Sequence, residues 1–229
     1  MKTVKPIRIV KAALFILCGG FALAASSAEA TLVTWNLNPS ALNQAVGSSS
    51  QGYTVSGYTI TAYGYDNNAG TGISHPLFYK NAGTDEIGLG LTDILHNELQ
   101  VSANGDPLQF IQLDLTSILA QGFTNGMISV GSVQSGELFN LYGSNTLGLL
   151  GTKLNVAAFD SSTDGVFVAV PSFGTYKFIS IVAAAADVLP IAFQATITPI
   201  PESTSLIPIA LLAVAAIVFE ARRRGRVIA

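Results

Sequence analysis

Polar and apolar residues alternate along the middle of the chain, most clearly between residues 188 and 197. The apolar positions there are Leu189, Ile191, Phe193, Ala195 and Ile197, and the polar ones are Gln194 and Thr196. Successive side chains of a strand point to opposite faces, so a period of two predicts a half-buried β-strand.

Nine other segments are rich in β-branched and aromatic residues, which favour strands. They span residues 53–65, 86–91, 98–102, 108–115, 127–133, 137–142, 153–159, 166–170 and 177–183. Gly, Pro, Asn and Asp separate them, as expected of turns. Residues 116–122 predict one helical turn, capped by Thr116 or Ser117 and ended by Gly122. We therefore predict an all-β fold, a single β-sandwich or jelly roll over residues 31–198.

The first thirty residues have a different pattern. Four basic residues lie within the first eleven positions, an uncharged apolar stretch follows at 12–25, and Ala28 and Ala30 flank Glu29. A basic start, an apolar centre and small residues in an A-x-A arrangement are typical of a secretory signal peptide. We expect residues 1–30 to engage the secretion translocon and to be cleaved after Ala30; an uncleaved N-terminal anchor is the alternative.

The C-terminal segment, residues 199–229, has three parts in order. After a polar hinge around Pro199 and Pro201, residues 206–219 carry no charge, and an arginine cluster follows. As a helix the uncharged run reaches only ~21 Å, short of a ~30 Å hydrocarbon core. Flanking residues and snorkelling arginines bring it closer to a full span, with the basic end held in the cytoplasm. A buried helix of a soluble domain is the alternative.

The order of these parts resembles the PEP-CTERM sorting signal of Gram-negative bacteria. That signal has Val-Pro-Glu-Pro before a short apolar helix and an arginine cluster. Pro201 and Glu202 match it, and Ser203 stands in place of the second proline. The resemblance implies that an exosortase-type peptidase recognises Pro201, Glu202 and the cluster Arg222, Arg223 and Arg224. It also implies an inner-membrane stage followed by the cell surface or extracellular matrix.

Charge and cysteine content narrow the function classes. Between residues 31 and 199 there are three lysines, no arginine and eleven acidic residues, so this body carries 3 − 11 = −8. Nucleic-acid binding needs basic residues that neutralise phosphates, so we expect no nucleic-acid partner. The one cysteine, Cys18, lies in the leader, which excludes disulfide and thiol chemistry from the mature chain.

Candidate catalytic groups are few. The histidines are His75 and His96, and the carboxylates that could pair are Asp85, Glu86, Asp93, Glu98, Asp114 and Glu137. No Gly-x-Ser-x-Gly elbow accompanies the histidines. Two carboxylates could make a glycoside hydrolase, but the only aromatic platform of tryptophan type is Trp35. We expect no enzyme and keep a glycoside hydrolase as the alternative.

One acidic loop resembles part of a known calcium-binding motif. Residues 160–165 resemble the start of an EF-hand loop, but Pro171 stands where the loop needs a bidentate glutamate. We expect a polar hairpin loop there, and we keep Asp66, Asn67, Asp160 and Asp164 as candidate ligands of a structural Ca²⁺. No other cofactor is expected.

Two further features bear on carbohydrate. Tyr53, Tyr58, Tyr63 and Tyr65 would stack on sugar rings if they shared a face, and core packing is the alternative. Residues 85–91, 110–115, 130–137, 142–145 and 176–181 are similar to a recurring body type among PEP-CTERM proteins, which resembles galactose-binding-like jelly rolls.

These features predict an exported cell-envelope or matrix protein that is structural or carbohydrate-associated, with polysaccharide as a partner. A secreted glycan-active hydrolase and a simple tail-anchored periplasmic protein are the alternatives.

Overall fold

A computed structural model describes residues 29–83, 86–93, 97–100 and 108–198, and in the C-terminal segment only the helical residues Ala216, Phe219, Glu220 and Arg223. The predicted leader up to Ala28, the sorting residues Pro201, Glu202, Arg222 and Arg224, and Asp85 and His96 lie outside the described residues. Residues Ala30–Thr198 form one compact unit. In the part of the chain that is described, no helix combines the length and apolar character required to cross a membrane.

The described residues are mostly β-strand, which confirms the all-β prediction. The strands are β1 (Thr31–Asn36), β2 (Gln44–Ala45), β3 (Ser50–Val55), β4 (Tyr58–Asn68), β5 (Thr71–Ser74), β6 (Leu77–Asn81), β7 (Ile87–Leu91), β8 (Gln109–Asp114), β9 (Thr124–Gly131), β10 (Leu138–Ser144), β11 (Thr152–Lys153), β12 (Phe167–Ala169), β13 (Phe178–Ala185) and β14 (Leu189–Ile197). A short helix, α1 (Thr116–Ala120), and a 3-10 turn (Ser161–Thr163) complete the elements.

The strands form three antiparallel sheets. One has the order β1-β14-β9-β12, and a larger one has the order β11-β10-β13-β8-β4-β3, with β5 added beside β4. The third is β2-β6-β7. Strands β1 and β3 each lie at one edge of their sheet, so among the described residues each has one side without a strand partner.

One buried cluster joins these sheets. Trp35 of β1 and Phe193 of β14 lie in it with Ile60 of β4 and Ile181 of β13. The Trp35 and Phe193 rings are 5.9 Å apart, and Trp35 Nε1 donates to the carbonyl oxygen of Tyr58 at 3.0 Å. The indole is therefore buried with its polar atom satisfied, as buried tryptophans require.

The alternation predicted for β14 holds over its second half only. Phe193, Ala195 and Ile197 are buried, and Gln194 donates from Nε2 to Thr34 Oγ1 at 2.9 Å. A register shift between Pro190 and Ala192 interrupts the pairing with β9, and Ile191 is only partly buried. An inserted residue moves the side chains before it to the other face, which breaks the period of two.

Several other segments differ from the prediction. Residues 53–65 are a hairpin, because Ser56 and Gly57 have φ of 52° and 84° and make a two-residue turn. In the described part of segment 98–102 only Leu99 makes a bridge, and segment 153–159 continues as strand no further than Lys153.

Two local predictions also need correction. Residues 160–165 are not a hairpin loop, because β11 and β12 belong to different sheets. Helix α1 forms as expected, but neither Thr116 nor Ser117 caps it; Asp114 Oδ1 accepts from the Thr116 N–H at 2.8 Å. The edge strand β1 is not among the segments predicted as strands from the sequence.

Candidate functional site

The β6–β7 hairpin has a polar cluster at each end. His75 precedes β6 and Thr92 follows β7 at one end, while Lys80 and Glu86 lie at the other. The register pairs Leu77 with Leu91 and Lys80 with Gly88. Residues far apart in the sequence join each cluster, so the clusters depend on the fold.

Lys80 holds two carboxylates. Its Nζ lies 2.9 Å from Glu86 Oε2 and also forms an ion pair with Glu98 Oε1. The exposed fractions of the side chains are 11% for Lys80 and 5% for Glu98. Ser132 Oγ donates to Glu98 Oε2 at 3.3 Å. Both oxygens of Glu98 are therefore occupied.

The electrostatic field around this lysine is negative. Burial raises the pKa of Glu98, and Asp187 and Glu86 raise it further. Lys80 lowers it, but not enough to cancel the rise. Burial would lower the pKa of Lys80, but Glu98 and Glu86 outweigh it and the pKa is raised. Burial also raises the pKa of Glu137, with a smaller contribution from Asp187. Burial is thus the main cause of the raised pKa values of Glu98 and Glu137, and neighbouring carboxylates add to it.

Two glycines of β7 allow Glu98 to reach Lys80. A Cβ on Gly90 would stand 1.9 Å from the carbonyl oxygen of Asn97, and one on Gly88 would stand 2.7 Å from that of Pro190. Leu99 anchors the crossing segment through an N–H to the Val188 carbonyl at 3.1 Å. The Gly-x-Gly spacing in a strand was the available sequence signal, since glycine there often marks a close backbone approach.

At the other end of the hairpin both nitrogens of His75 are engaged. Nδ1 lies 2.9 Å from Asp66 Oδ2, and Nε2 lies 2.6 Å from the carbonyl oxygen of Thr92. A carbonyl only accepts, so Nε2 carries a proton, and the carboxylate favours a proton on Nδ1 as well. Partial burial would lower the pKa of His75, but these two bonds outweigh it and the pKa is raised. The imidazolium form leaves no lone pair for a base or a metal.

The candidate Ca²⁺ ligands have separate protein partners. Asp66 also accepts from Gln109 Nε2 at 3.4 Å, and Asp164 Oδ1 accepts from the Val133 N–H at 2.9 Å. Asn67 Oδ1 accepts from the Gly70 N–H at 2.9 Å. Among the described residues no group of three His, Cys, Asp or Glu side chains is arranged to hold a metal ion.

Asp160 is likewise committed to its own turn. Its Oδ1 accepts from the N–H of Ser162 at 3.0 Å and from the Ser162 hydroxyl at 2.6 Å. These bonds to Ser162 lower the pKa of Asp160. The carboxylate thus acts as the cap of the 3-10 turn.

Of the carboxylates considered for hydrolysis, the described residues bring together Glu86 and Glu98 through Lys80. Asp93 accepts from Gln100 Nε2 at 2.6 Å, and Asp114 Oδ1 accepts from the Thr116 N–H. Glu137 accepts from the N–H of Gln134. A glycosidase needs one carboxylic acid and one free carboxylate facing a sugar, whereas Glu86 and Glu98 face a shared cation.

The four tyrosines do not share one face. Tyr53 and Tyr58 belong to the core side: Tyr53 is buried and Tyr58 packs edge-on against Phe123 at 4.8 Å. Tyr63 and Tyr65 lie on the other side of β4, stacked at 6.4 Å. A common aromatic platform is therefore not formed by these residues.

Two clefts are present among the described residues, and the sequence patterns indicated neither. A cleft of about 520 Å³ runs along β9 and β12 and is lined by apolar side chains, including Phe123, Met127 and Phe173. An uncharged cleft of about 270 Å³ lies between β1 and β3, with Thr34 and Asn36 on one wall.

Comparison with models of protein families finds no match to this chain, and searches of curated proteins and of solved structures find none either. The functional interpretation therefore rests on the resemblance of the tail and on the chemistry of the described residues.

Proposed function

We propose that the chain is an exported cell-envelope or extracellular-matrix protein with a structural or carbohydrate-associated role. The observation that carries this proposal is the three-part C-terminus: Pro201-Glu202, the uncharged run 206–219, and the cluster Arg222, Arg223 and Arg224. A leader with an A-x-A pattern at Ala28–Ala30 precedes the body, as an exported protein requires.

In this proposal the body is a β-sandwich. The sheet containing β1 and β14 and the sheet containing β4, β8 and β13 are its two layers. Support comes from the larger buried cluster, to which both sheets contribute alternate residues such as Phe193 and Ile60. The absence of cysteine from residues 31–199 suits a domain that relies on this core.

The chemistry of the body favours binding over turnover. The polar side-chain atoms of His75, Glu98 and Asp66 are bonded to other protein groups. A catalytic acid or base needs a position facing the substrate, and these groups face one another. The role we propose is therefore association with polysaccharide without its cleavage.

The proposal is tested by producing the full-length chain in a host with and without an exosortase. Wild-type protein is expected to lose the arginine cluster and to appear at the surface only when the peptidase is present. A Glu202→Gln change should leave the tail intact in the membrane fraction, because the recognised carboxylate is gone. Ser203→Ala is the matched control and should be processed like the wild type.

Mass spectrometry of the C-terminus and cell fractionation give the readout. An intact C-terminus in both hosts would establish a simple tail-anchored protein instead. Turnover of a surface polysaccharide that is lost in Glu98→Gln would establish the glycan-active hydrolase.

A further inference from the structure

The uncharged cleft lies where two sheet edges approach each other. β1 is the edge of the four-stranded sheet and β3 is an edge of the largest sheet, and their Cα atoms come within 8 Å of each other. The cleft between them encloses about 270 Å³. Edge strands have unpaired backbone groups that are available to another molecule.

Alternate backbone groups of β1 point away from its own sheet. The Leu37 N–H donates to the Ile191 carbonyl at 2.8 Å, and in an antiparallel pair the inward-bonding residues alternate. Trp35 and Leu37 therefore bond to β14. The N–H and C=O of Thr34 and Asn36 face the open edge.

The same argument applies to β3. Its two-residue turn makes Val55 and Tyr58 a hydrogen-bonded pair, so Gln51 and Tyr53 also bond inward to β4. Gly52 and Thr54 then face the open edge, where Gln51 Nε2 already donates to the Gly52 carbonyl at 2.9 Å.

The walls of the cleft are uncharged and combine polar with apolar surface. Thr34, Asn36, Gln51 and Thr54 contribute hydroxyl and amide groups, each of which makes one hydrogen bond within the protein and keeps further donor or acceptor capacity. Every described residue that lines the cleft is uncharged at neutral pH. Hydroxyls and amides donate and accept hydrogen bonds at once, which matches the hydroxyl groups of a sugar.

The cleft is also held in shape before any ligand arrives. The buried rings of Tyr53 and Tyr79 lie against it, and Tyr53 OH donates to the Leu37 carbonyl at 2.9 Å. Trp35 Nε1 bonds the Tyr58 carbonyl at 3.0 Å. Both bonds tie β1 to the β3–β4 hairpin, and a preorganised site loses less entropy on binding.

Gly52 leaves room for a ligand at the edge of β3. Glycine weakens a strand, and inside one it often marks the close approach of a ligand or of another backbone. A Cβ on Gly52 would meet Thr59 Cγ2 at 3.9 Å, an ordinary contact. Among the described residues no atom requires a glycine there, unlike at Gly88 and Gly90.

We propose that this cleft binds one ring of a neutral polysaccharide, an inference that rests on the carbohydrate-associated role proposed above. Its volume lies just below the ~300–1,000 Å³ of drug-sized pockets, which fits one sugar ring. The −8 charge of the body disfavours a polyanionic chain. A peptide strand that paired with both edges would hold β1 and β3 apart by about twice the ~4.8 Å strand spacing. The Cα atoms of β1 and β3 come within 8 Å of each other, which is too close for such a strand.

The test is calorimetric titration of the purified full-length chain with neutral tetrasaccharides of glucose, mannose and galactose, and with tetragalacturonate as the anionic comparison. We expect a neutral tetrasaccharide to bind and tetragalacturonate to bind at least tenfold more weakly. Gly52→Val should weaken binding at least tenfold without lowering the melting temperature, because its side chain fills the cleft. Ser50→Val, on the same strand outside the cleft lining, is the matched control. Asn36→Ala, at an exposed position, should weaken binding about threefold or more.

The outcomes separate this inference from the proposed function. Equal binding by wild type and Gly52→Val would overturn the cleft and leave a carbohydrate-associated role standing elsewhere. Binding of a Thr/Val-rich hexapeptide in place of any sugar would overturn the saccharide assignment. Failure of every tetrasaccharide to bind would overturn the cleft as a sugar site. Export and sorting are judged separately, by fractionation and the C-terminal mass.

Discussion

Replacing Lys80 by methionine removes the one cation that Glu86 and Glu98 share. Methionine keeps a long apolar stem, so the main loss is the charge and its bonds. Glu98, whose side chain is 5% exposed, would then be a buried carboxylate that keeps the hydrogen bond from the Ser132 hydroxyl but has lost its counter-charge. Glu86 is 33% exposed and would turn to water.

The size of the effect follows from this burial. Removing one member of a buried ion pair costs about 3–5 kcal/mol, which for a domain of this size lowers the melting temperature by roughly 6–20 °C. The cost depends on pH. Burial already raises the pKa of Glu98 above its ordinary 4.5, and loss of Lys80 raises it further. Stability is then retained below pH 4.5 and lost as the pH rises through the folded-state pKa.

Thermal unfolding followed by circular dichroism at pH 4 and pH 8 provides the measurement. Lys153→Met, at an exposed lysine, is the matched control and should change stability by no more than about 0.5 kcal/mol. Adding Glu98→Gln to Lys80→Met should restore most of the loss, because the amide needs no counter-charge. If Lys80→Met and Lys153→Met melt together at pH 8, the buried pair is not a determinant of stability.

Two further predictions concern the other cluster and the glycines. The pKa of His75 is raised above its ordinary 6.5, so the stability that protonated His75 contributes is complete below pH 6.5 and is lost as the pH rises through the folded-state pKa. His75→Gln should therefore reduce the fall in melting temperature between pH 6 and pH 9. An unchanged slope would contradict a protonated His75. Gly90→Ala should lower the free energy of unfolding by about 1–3 kcal/mol because its Cβ meets the Asn97 carbonyl. Gly52→Ala should leave it unchanged or raise it by up to about 1 kcal/mol. Equal melting temperatures of the two variants would refute the close approach at Gly90.

The long strands were predictable because their pattern is local. β8, β9, β10 and β13 each bury apolar side chains on the core side, and that burial leaves an alternating or continuous apolar run in the sequence. The single helical turn was also predictable, since Gly122 adopts a φ of 82° beyond its end.

The polar clusters were not predictable from local pattern. Lys80 and Glu98 are eighteen residues apart, and His75 and Thr92 are seventeen apart, so each pairing exists only once β6 and β7 have paired and the following segment has crossed them. A sequence shows eleven carboxylates in the body but not which of them meets a cation. The Gly-x-Gly pattern in β7 was the one local trace of that crossing.

The polar groups of this domain therefore divide into two kinds, and the division bears on where function lies. In the described residues every buried side-chain nitrogen and oxygen has a hydrogen-bond partner, so His75, Glu98 and similar groups stabilise the fold at the cost of their reactivity. The cleft that we propose between β1 and β3 differs from them, because two strand edges border it and its hydroxyl and amide groups each make one protein hydrogen bond and keep further capacity. A ligand gains most from polar groups that are held in place and still have a free donor or acceptor. Residue type does not distinguish these two kinds of polar group, because asparagine and threonine occur in both. The distinction depends on which hydrogen-bond partners the fold places beside each group.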